Sequence, residues 1–518
     1  MSFDNKTQIC IPLNEQTVDA LVESISKAEQ AADLIELRLD GLMPDEFQQL
    51  LPNLDNLIST ASRPIILTFR AEEQGGYRAL TREQRSSFWK SQLHSAAELV
   101  DIEADLVHEF TNNNENEQPD WSRVICSHHD FDRVPDNLFE IYEQLAFTPA
   151  HIVKLAVHAN DVTDCLPVFK LIDQARANGR EIIAIAMGDS GVITRILGPS
   201  RGAFLTYGAS DFARGTAPGQ IITADLRSIY HVDQIDSATV ITGLVGSPAM
   251  HSVSPHMHNA AFHAANQNCV YLPFDVKDLR GFVEQMVNPE SRELDWNLRG
   301  LSITAPHKVE VMKYLDWIDP EADKIGAVNT IVLENEQLLG YNTDVQGFIE
   351  PLKRRMGSLE GTRAAVIGAG GAANAVIFAL QRHGVDIDLY VRDLQKASDL
   401  SDKFNISSKP LESARFAGTD IVVNTTPLGS FGAYVNQSPA SVDQLRGSRL
   451  VYDLVYNPIE TKFLQQAREA GCEVLGGLEM LVAQAQLQFK IWTNTDASYE
   501  LMYAAGSSAL HKDFTHTT

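Results

Sequence analysis

The chain lacks the features of a secreted or membrane protein. Its five cysteines are odd in number and contain no C-x-x-C pair, which argues against a disulfide framework and against a zinc site. No apolar run approaches the roughly 18 residues of a membrane span, and the N-terminus carries neither an apolar signal segment nor an Arg- and Ser-rich transit segment. We therefore expect a cytoplasmic protein without a membrane partner and without a bound metal.

Basic residues are also scarce. Lys and Arg together number 42 against 68 Asp and Glu, and the formal net charge is −26. Such an acidic chain argues against nucleic acid as a partner, because phosphate backbones bind positively charged surfaces. A length of 518 residues exceeds what one hydrophobic core supports and predicts two or more domains.

Among the residues that are present, one lysine stands out. Lys154 lies within the apolar, β-branched run 152–157, which predicts a strand buried on both faces. Burial disfavours the charged form of an amine, and a neutral amine attacks carbonyl carbon to form a Schiff base. The alternative is a lysine that extends to solvent or pairs with a carboxylate.

Eight apolar strand candidates, separated by segments of helix length, precede residue 210. This alternation predicts βα units that close into a (β/α)8 barrel, with two smaller α/β sheets as the alternative. The predicted strands are 8–13, 34–40, 64–70, 99–105, 124–130, 152–158, 182–188 and 204–209.

Polar residues collect where these strands end, which is where barrel enzymes place their chemistry. Charges at strand ends are commonly structural ion pairs. Converging on one mouth, however, these groups would combine a carboxylate clamp, a nucleophile for a ketone and a proton carrier. They are Glu36, Arg38, Arg70, His129, Asp130, Lys154, Arg195, Thr216 and Gln220.

Five motifs in this half resemble type I 3-dehydroquinate dehydratases over residues 5–230. They are Ile35-Glu36-Leu37-Arg38, Thr68-Phe69-Arg70, Ser127-His128-His129-Asp130-Phe131, Val153-Lys154-Leu155 and Ala217-Pro218-Gly219-Gln220. The resemblance implies that Lys154 forms an imine with the C3 ketone, that His129 moves the protons and that Arg195 binds the carboxylate. His128 is expected on the opposite face of its strand.

The resemblance further implies that the remaining mouth residues hold the substrate, chiefly its ring hydroxyls: Glu36, Arg38, Arg70, Thr216 and Gln220. Two positions depart from the family pattern. Gln74 stands where a glutamate is common, and Thr216 stands where a serine is frequent. Neither departure is at the lysine or at the histidine itself.

The second half contains a dinucleotide fingerprint. The strand 363–367 runs into Gly368-Ala369-Gly370-Gly371-Ala372-Ala373 and then into a helical stretch. This strand, glycine turn and helix predict a Rossmann domain, in which the glycines let a pyrophosphate approach a helix N-terminus. After the second strand, Arg392 suits a 2′-phosphate and Asp393 suits a free ribose. We expect NADP, with NAD as the alternative.

Further motifs resemble shikimate dehydrogenases from residue 239 to about 508, although turn chemistry alone explains each of them singly. They are Ser252-Val253-Ser254-Pro255, Thr304-Ala305-Pro306-His307-Lys308, Gly326-Ala327-Val328-Asn329-Thr330, Asn342-Thr343-Asp344 and 477–484. The resemblance implies that Lys308 and Asp344 form the acid/base pair. It places Ser252, Ser254, Thr304, Asn329, Tyr456 and Gln484 around the substrate, and Gly368, Ala369, Gly370, Gly371, Ala372, Arg392, Leu454 and Gly477 around the cofactor.

The order of the halves predicts two consecutive steps, from 3-dehydroquinate through 3-dehydroshikimate to shikimate. The expected domains are a barrel (1–232), a substrate-binding α/β domain (238–345), a Rossmann domain (346–480) and C-terminal helices (481–518). Two alternatives remain: a regulatory homologue that senses a quinate-pathway metabolite without converting it, and a second half that acts as a quinate dehydrogenase.

Overall fold

A computed structural model describes residues 7–113, 118–210, 217–395 and 397–515. The chain forms two compact units. The first comprises the residues up to 240 together with 246–250 and 272–297, and the second comprises 241–245, 251–271 and the residues from 298 onward. No helix in the described ranges is long and apolar enough to cross a membrane.

Eight strands of the first unit form one parallel sheet: β1 Ile9–Leu13, β2 Leu34–Arg38, β3 Ile65–Thr68, β4 Leu99–Glu103, β5 Val124–Asp130, β6 Ile152–His158, β7 Glu181–Met187 and β8 Thr206–Tyr207. Their order is β7-β6-β5-β4-β3-β2-β1-β8. Beside the outer strands, the N–H of Phe204 donates to the carbonyl of Ile182 at 2.7 Å, which brings the two edges together. The predicted barrel is confirmed.

The helices of this unit are α1 Val18–Ala28, α2 Pro44–Leu50, α3 Leu54–Thr60, α4 Arg82–Ser91, α5 Ala104–Thr111, α6 Leu138–Ala146, α7 Cys165–Ala177, α8 Val192–Arg201 and α9 Thr223–Ser228. Local sequence explains the start of α4, where Thr81 and Gln84 form a reciprocal capping box. Three predicted strands ran two residues too far at their C-terminal ends, at 40, 70 and 105, and that of 204–209 ran too far at both ends. At 40 and 70 the chain leaves the sheet for the polar contacts of the mouth described below.

A second sheet has six strands in the order β10-β9-β11-β13-β14-β12. Its elements in chain order are β9 Val240–Gly246, α10 Ser254–Ala264, β10 Cys269–Asp275, α11 Leu279–Phe282, β11 Asn297–Ile303, β12 Trp317–Ile318, α12 Pro320–Ile325, β13 Thr330–Glu334, β14 Gln337–Tyr341 and α13 Asp344–Met356. The pairs β11/β13 and β13/β14 are antiparallel, whereas β12 and β14 are parallel.

The third sheet has the order β17-β16-β15-β18-β19-β20 and its ladders are parallel. Numbered from β15, this is the order 3-2-1-4-5-6 of a dinucleotide-binding fold. The elements are β15 Arg363–Ile367, α14 Gly371–Arg382, β16 Asp386–Val391, α15 Ser398–Phe404, β17 Ser407–Pro410, β18 Ile421–Asn424, α16 Val442–Leu445, β19 Leu450–Asp453, α17 Lys462–Glu469, β20 Glu473–Leu475, α18 Gly477–Thr493 and α19 Tyr499–Thr515.

Alternate residues of the third sheet supply two separate cores. Ala364 and Val366 belong to one buried cluster, whereas Ala365 and Ile367 belong to the other. Because successive strand residues face opposite sides, this sheet is covered on both faces, as a doubly wound fold requires. The Rossmann prediction is confirmed.

Candidate active sites

The inward-facing side chains of the barrel form layers. The lower layer is apolar and includes Cys10, Leu34, Ile66, Leu99, Ile125, Ile152 and Ile183. Two residues further along five of these strands lie buried polar groups: Glu36, Thr68, Asp101, Ser127 and Lys154. Because strand side chains alternate with a period of two, these five groups point into the barrel as well. The barrel therefore carries a polar layer on an apolar floor.

Lys154 lies at the centre of this polar layer, with a relative exposure of 5%. Its Nζ donates to Oδ2 of Asp101 at 2.8 Å and to the phenolic oxygen of Tyr207 at 2.9 Å. A second carboxylate oxygen, Oε1 of Glu36, lies 3.7 Å away. The lysine is buried as the sequence predicts, but it also pairs with a carboxylate, which was the alternative. Burial and ion pairing thus occur at the same amine.

Asp101 is held by three partners. Besides Lys154, Nη2 of Arg70 donates to its Oδ2 at 2.7 Å, and the hydroxyl of Ser127 donates to its Oδ1 at 2.6 Å. Burial alone would raise the pKa of Asp101, but the charges of Arg70 and Lys154 outweigh burial and hold this pKa below its usual value. The carboxylate is therefore ionised over the whole physiological pH range.

His129 is the penultimate residue of β5 and lies at the mouth of the barrel. Burial, followed by the positive charges of Arg70 and Lys154, lowers the pKa of His129 well below its usual value, so the imidazole is neutral at pH 7. Nη1 of Arg70 lies 2.8 Å from Nδ1, and because a guanidinium only donates, this nitrogen carries a lone pair. The backbone N–H of His129 donates to Oε1 of Gln74 at 3.0 Å. The neighbouring His128 does not line the cavity.

Arg38 is fixed before any ligand arrives. Its Nε and Nη2 donate to the two carboxylate oxygens of Asp40 at 3.0 and 2.7 Å, and Nη2 also donates to the carbonyl of Gly75 at 2.9 Å. Asp40 additionally accepts the backbone N–H of Tyr77 at 3.1 Å. Arg38 therefore ties the loop that contains Gly75 to the mouth of the barrel.

Arg195 differs from the other arginines of the mouth. It lies on α8, is 2% exposed, and donates to the carbonyls of Tyr207 and Pro218, both at 3.4 Å. No carboxylate pairs with it among the described residues, and burial lowers its pKa to about 10. Gln220 lies at the same mouth, whereas Thr216 falls outside the described residues.

A cavity opens between these groups. Its polar lining is Glu36, Arg38, Arg70, Gln74, His129, Lys154, Arg195, Tyr207 and Gln220, and its apolar lining includes Phe131, Ala156, Ile185 and Met187. The predicted barrel residues that the structure describes thus surround one cavity, except Asp130, which does not line it.

The second unit brings another lysine and aspartate together. Nζ of Lys308 donates to Oδ2 of Asp344 at 2.6 Å. The amide of Asn329 donates to Oδ1 of the same carboxylate at 2.8 Å and to Oε1 of Gln484 at 3.4 Å. Asp344 is the first residue of α13, so its carboxylate also lies at a helix N-terminus, where negative charge is stabilised. These four predicted residues form one connected network.

A pair of serines lies at the start of α10. The hydroxyl of Ser252 lies 3.1 Å from that of Ser254 and accepts the backbone N–H of Ser254 at 3.2 Å. Burial raises the pKa of Tyr456, and a hydrogen bond with Ser252 partly offsets that rise. Thr304 directly follows β11 and is half-buried, with its N–H bonded to the carbonyl of Val245 at 2.9 Å. Ser252, Ser254 and Tyr456 are therefore neighbours.

The glycine turn after β15 has the geometry of a phosphate cradle. Gly368 adopts φ +110°, and a Cβ on it would lie 2.7 Å from Oγ1 of Thr425, so only glycine fits there. Gly370 and Gly371, at the N-terminus of α14, face open space. The cavity above this turn has a volume of about 570 Å³ and is lined by Gly368, Ala369, Gly370, Arg392, Asp393, Thr425 and Thr426, among others. Ala372 lies in the exposed first turn of α14.

Arg392 and Asp393 both reach this cavity, directly after β16. A carboxylate oxygen of Asp393 accepts the backbone N–H of Gln395 at 3.0 Å, so this side chain is engaged in its own turn. Arg392 is exposed. The guanidinium of Arg392 is therefore open to a ligand at this cavity.

Leu454 and Gly477 meet where β19 and α18 approach each other. A Cβ on Gly477 would lie 2.4 Å from the carbonyl oxygen of Leu454, so glycine is required for this close packing. Neither residue lines the cavity above the glycine turn.

Several residues of both sites were not predicted. Asp101 shares the phase of Glu36 and Lys154 along its strand, and that period-two pattern was a usable signal. Gln488 lies one helical turn after the predicted Gln484, and its amide donates to the carbonyl of Asn329 at 3.3 Å. No sequence signal indicated the contact of Tyr207 with the lysine.

Three family models match the chain. The type I 3-dehydroquinase model matches residues 9–237, the shikimate dehydrogenase substrate-binding domain matches residues 244–331, and the shikimate 5′-dehydrogenase C-terminal domain matches residues 477–505.

Relatives match along the whole chain or along its second half. The bifunctional 3-dehydroquinate dehydratase/shikimate dehydrogenase, chloroplastic, of Arabidopsis thaliana is 32% identical and covers 96% of this chain and 84% of its own length. The shikimate biosynthesis protein AroDE of Chlamydia pneumoniae is 29% identical over 93% of this chain and 95% of its own length. A shikimate dehydrogenase (NADP(+)) of Caldanaerobacter subterraneus is 42% identical over 52% of this chain and 97% of its own length.

A buried lysine at the mouth of a parallel barrel and a lysine–aspartate pair in a chain with a dinucleotide fold define the class: a lyase joined to an oxidoreductase. The chain belongs to the family of bifunctional 3-dehydroquinate dehydratase/shikimate dehydrogenases. It is accordingly a bifunctional enzyme of the shikimate pathway, as the order of its halves predicts.

Proposed function

We propose that the barrel dehydrates 3-dehydroquinate through an imine on Lys154. The amine attacks the C3 ketone, and loss of water leaves a protonated C=N bond. That bond draws electrons from the neighbouring carbon and acidifies its C–H. The observation that carries this assignment is the position of Nζ: buried, lining the cavity, and next to two carboxylates that stabilise a positively charged imine.

His129 is the proton carrier in this proposal. A neutral imidazole accepts the proton from the carbon beside the imine and then gives it to the departing hydroxyl, which leaves as water. Hydrolysis of the imine then releases 3-dehydroshikimate and Lys154. The lone pair on Nδ1 faces Arg70 in this structure, so transfer through this nitrogen requires the substrate to replace the Arg70 contact.

The substrate carboxylate binds Arg195 in this proposal, because Arg195 is the buried arginine of the mouth that lacks an acidic partner among the described residues. The ring hydroxyls then meet Glu36, Arg38, Arg70 and Gln220 on the other side of the cavity, with Thr216 as a further hydroxyl contact predicted from the sequence.

The second unit reduces 3-dehydroshikimate to shikimate in this proposal. NADPH supplies the hydride when it is bound. Lys308 donates a proton to the oxygen of the carbon that is reduced, and Asp344 holds the amine in place at 2.6 Å. The hydroxyls of Ser252 and Ser254, with Tyr456, bind the carboxylate, while Thr304, Asn329 and Gln484 orient the ring.

The residues around the glycine turn fit NADP. The turn at Gly368 and the open N-terminus of α14 suit a pyrophosphate. The free Arg392 suits a 2′-phosphate, because its planar fork matches phosphate oxygens, and Asp393 is engaged in its own turn. Ala369, Ala372, Leu454 and Gly477 are the remaining residues that we propose lie around the cofactor. NADP also appears in the name of the relative from Caldanaerobacter.

We further propose the domain limits predicted from the sequence and a cytoplasmic location, which fits five free cysteines in the described chain. A second half that acts on quinate is the alternative. Steady-state rates with shikimate and with quinate, each with NADP and with NAD, distinguish these substrates and cofactors.

Borohydride trapping tests the central assignment. Reduction in the presence of 3-dehydroquinate should add the mass of the ligand to the peptide that contains Lys154. Lys154→Ala should abolish dehydration and leave shikimate oxidation unchanged, because the second site lies in another unit. An adduct on another lysine, or none at all, contradicts the proposal.

A further inference from the structure

The hydroxyl of Tyr207 lies beside the amine that the proposed function makes the nucleophile. Tyr207 ends β8, is 5% exposed, and its oxygen accepts a hydrogen bond from Nζ of Lys154 at 2.9 Å. The same Nζ lies 4.5 Å from the centre of the Tyr207 ring. The lysine side chain is therefore held by both the ring and the oxygen of this one residue.

We propose that Tyr207 is a positioning residue for the dehydration: its hydroxyl, together with Asp101, fixes the direction in which Nζ of Lys154 meets the substrate ketone. This inference rests on the proposed role of Lys154 as the nucleophile and adds to it the residue that aims the nitrogen.

The donor count of the amine supports this assignment. An ammonium group has three N–H donors. Asp101 and Tyr207 take two of them at 2.8 and 2.9 Å, and the third is free to point into the cavity. Two fixed bonds and the Cε–Nζ bond leave one direction open at a tetrahedral nitrogen, and that is the direction of attack once this last proton is lost.

Tyr207 also connects the two ends of the site. Its backbone carbonyl accepts a hydrogen bond from Nη1 of Arg195 at 3.4 Å, and its side chain contacts Lys154. Tyr207 of β8 therefore contacts both Arg195, which is proposed to bind the substrate carboxylate, and Lys154, the proposed nucleophile. Burial also raises the pKa of Tyr207 well above its usual value, so the phenol stays protonated at neutral pH and adds no charge.

Tyr207→Phe isolates the oxygen, because it keeps the ring against the amine. We expect the dehydration kcat to fall about tenfold or more, the scale of a hydrogen bond to a charged group, with a change in KM below about threefold. Tyr230→Phe is the matched control: Tyr230 is a buried tyrosine of the same unit that does not line the cavity. It should leave dehydration within about twofold, and both variants should oxidise shikimate normally.

A second comparison separates positioning of the Lys154 amine from binding of the substrate. In a Lys154→Ala chain, the affinity for 3-dehydroquinate should stay within about twofold when Tyr207→Phe is added, as measured by calorimetry. In the chain that retains Lys154, Tyr207→Phe should slow borohydride-trapped imine formation by the same factor as kcat. Amide exchange in β6 and β8 reports whether the variant barrel is intact.

The outcomes discriminate the two levels of the argument. If the unaltered chain shows no adduct on Lys154, the proposed function itself fails. If the unaltered chain is trapped on Lys154 and the Tyr207→Phe chain matches its trapping rate and kcat within about twofold, only the role of Tyr207 is overturned. A tenfold loss of affinity in the Lys154→Ala background also overturns it, because Tyr207 would then act on the substrate directly.

Discussion

Replacing Asp101 by asparagine tests the charge balance of the barrel interior. Asp101 shares the polar layer with two buried cations, Arg70 and Lys154, and with a second buried carboxylate, Glu36. Asp101 contacts both cations at 2.7 to 2.8 Å, whereas Glu36 lies 4.0 Å from Arg70 and 3.7 Å from Lys154. Asp101→Asn preserves the shape of the side chain and removes one negative charge.

The magnitude follows from leaving a buried charge uncompensated. Removing one partner of a buried ion pair costs about 3–5 kcal/mol. Because Glu36 remains near both cations, we take the lower end, about 3 kcal/mol. This loss lowers the equilibrium constant for folding of the barrel by about 100-fold. The carboxylate oxygen that accepts the hydrogen bond from Ser127 is also removed, but the amide oxygen of the asparagine accepts that bond in its place.

The pH dependence has a definite sign. The pKa of Asp101 is lower in the folded chain than in the unfolded chain, where it is about 3.9. Its stabilising contribution is therefore complete above that unfolded value and is lost as the pH falls towards the folded pKa. The difference between the two chains should be constant between pH 5 and pH 8 and should shrink below about pH 4.

Amide hydrogen exchange measures this effect within one unit of a chain that has two. Peptides from β4 and β6 should exchange about 100-fold faster in the variant, while peptides from β15 and β16 serve as the internal reference. Asp19→Asn, at an exposed position of α1, is the control and should change exchange by less than about threefold, as surface substitutions do. Equal exchange of β4 and β6 at pH 7 in the Asp101→Asn and unaltered chains refutes the charge-balance argument.

Three further predictions concern the chemistry. His129→Ala should lower dehydration about 100-fold or more and His128→Ala should change it little; since the pKa of His129 is lowered, an NMR titration of its ring should find the imidazole still neutral at pH 6, and a charged imidazole there contradicts this assignment. Asp344→Asn should lower shikimate oxidation about 100-fold and spare dehydration, which steady-state assays of both activities check. Arg392→Ala should raise the KM for NADP about 10- to 150-fold while that for NAD hardly changes; an unchanged KM for NADP assigns Arg392 to the surface.

Local periodicity predicted the framework well. The eight βα repeats and the glycine turn at Gly368 are features of neighbouring residues, so short windows of sequence carry them. The inward phase of Lys154 and Glu36 was equally visible. Asp101 has the same phase, and only its surroundings distinguish it from an ordinary strand residue, because its partners come from three other strands or strand ends.

Contacts between distant loops could not be predicted. Gln74 was identified as a departure from the family pattern, but nothing in the sequence indicated that its Oε1 accepts the backbone N–H of His129. That bond depends on how the loop after β3 lies over the end of β5, which is set by tertiary packing. The bond between Lys154 and the hydroxyl of Tyr207 likewise joins residues 53 positions apart.

The hydrogen bonds of Arg38 make the two ends of the barrel cavity different in the ligand group that each can bind. A guanidinium has five N–H groups, and Arg38 uses three of them on Asp40 and Gly75, so only Nη1 remains for a ligand. A single nitrogen suits a hydroxyl oxygen, whereas a carboxylate is best met by a fork. Arg195, whose bonds to carbonyls within the described ranges are both 3.4 Å long, keeps such a fork available. A polyhydroxylated acid therefore enters in one orientation, and its mirror image cannot satisfy both ends while presenting the same face to Lys154.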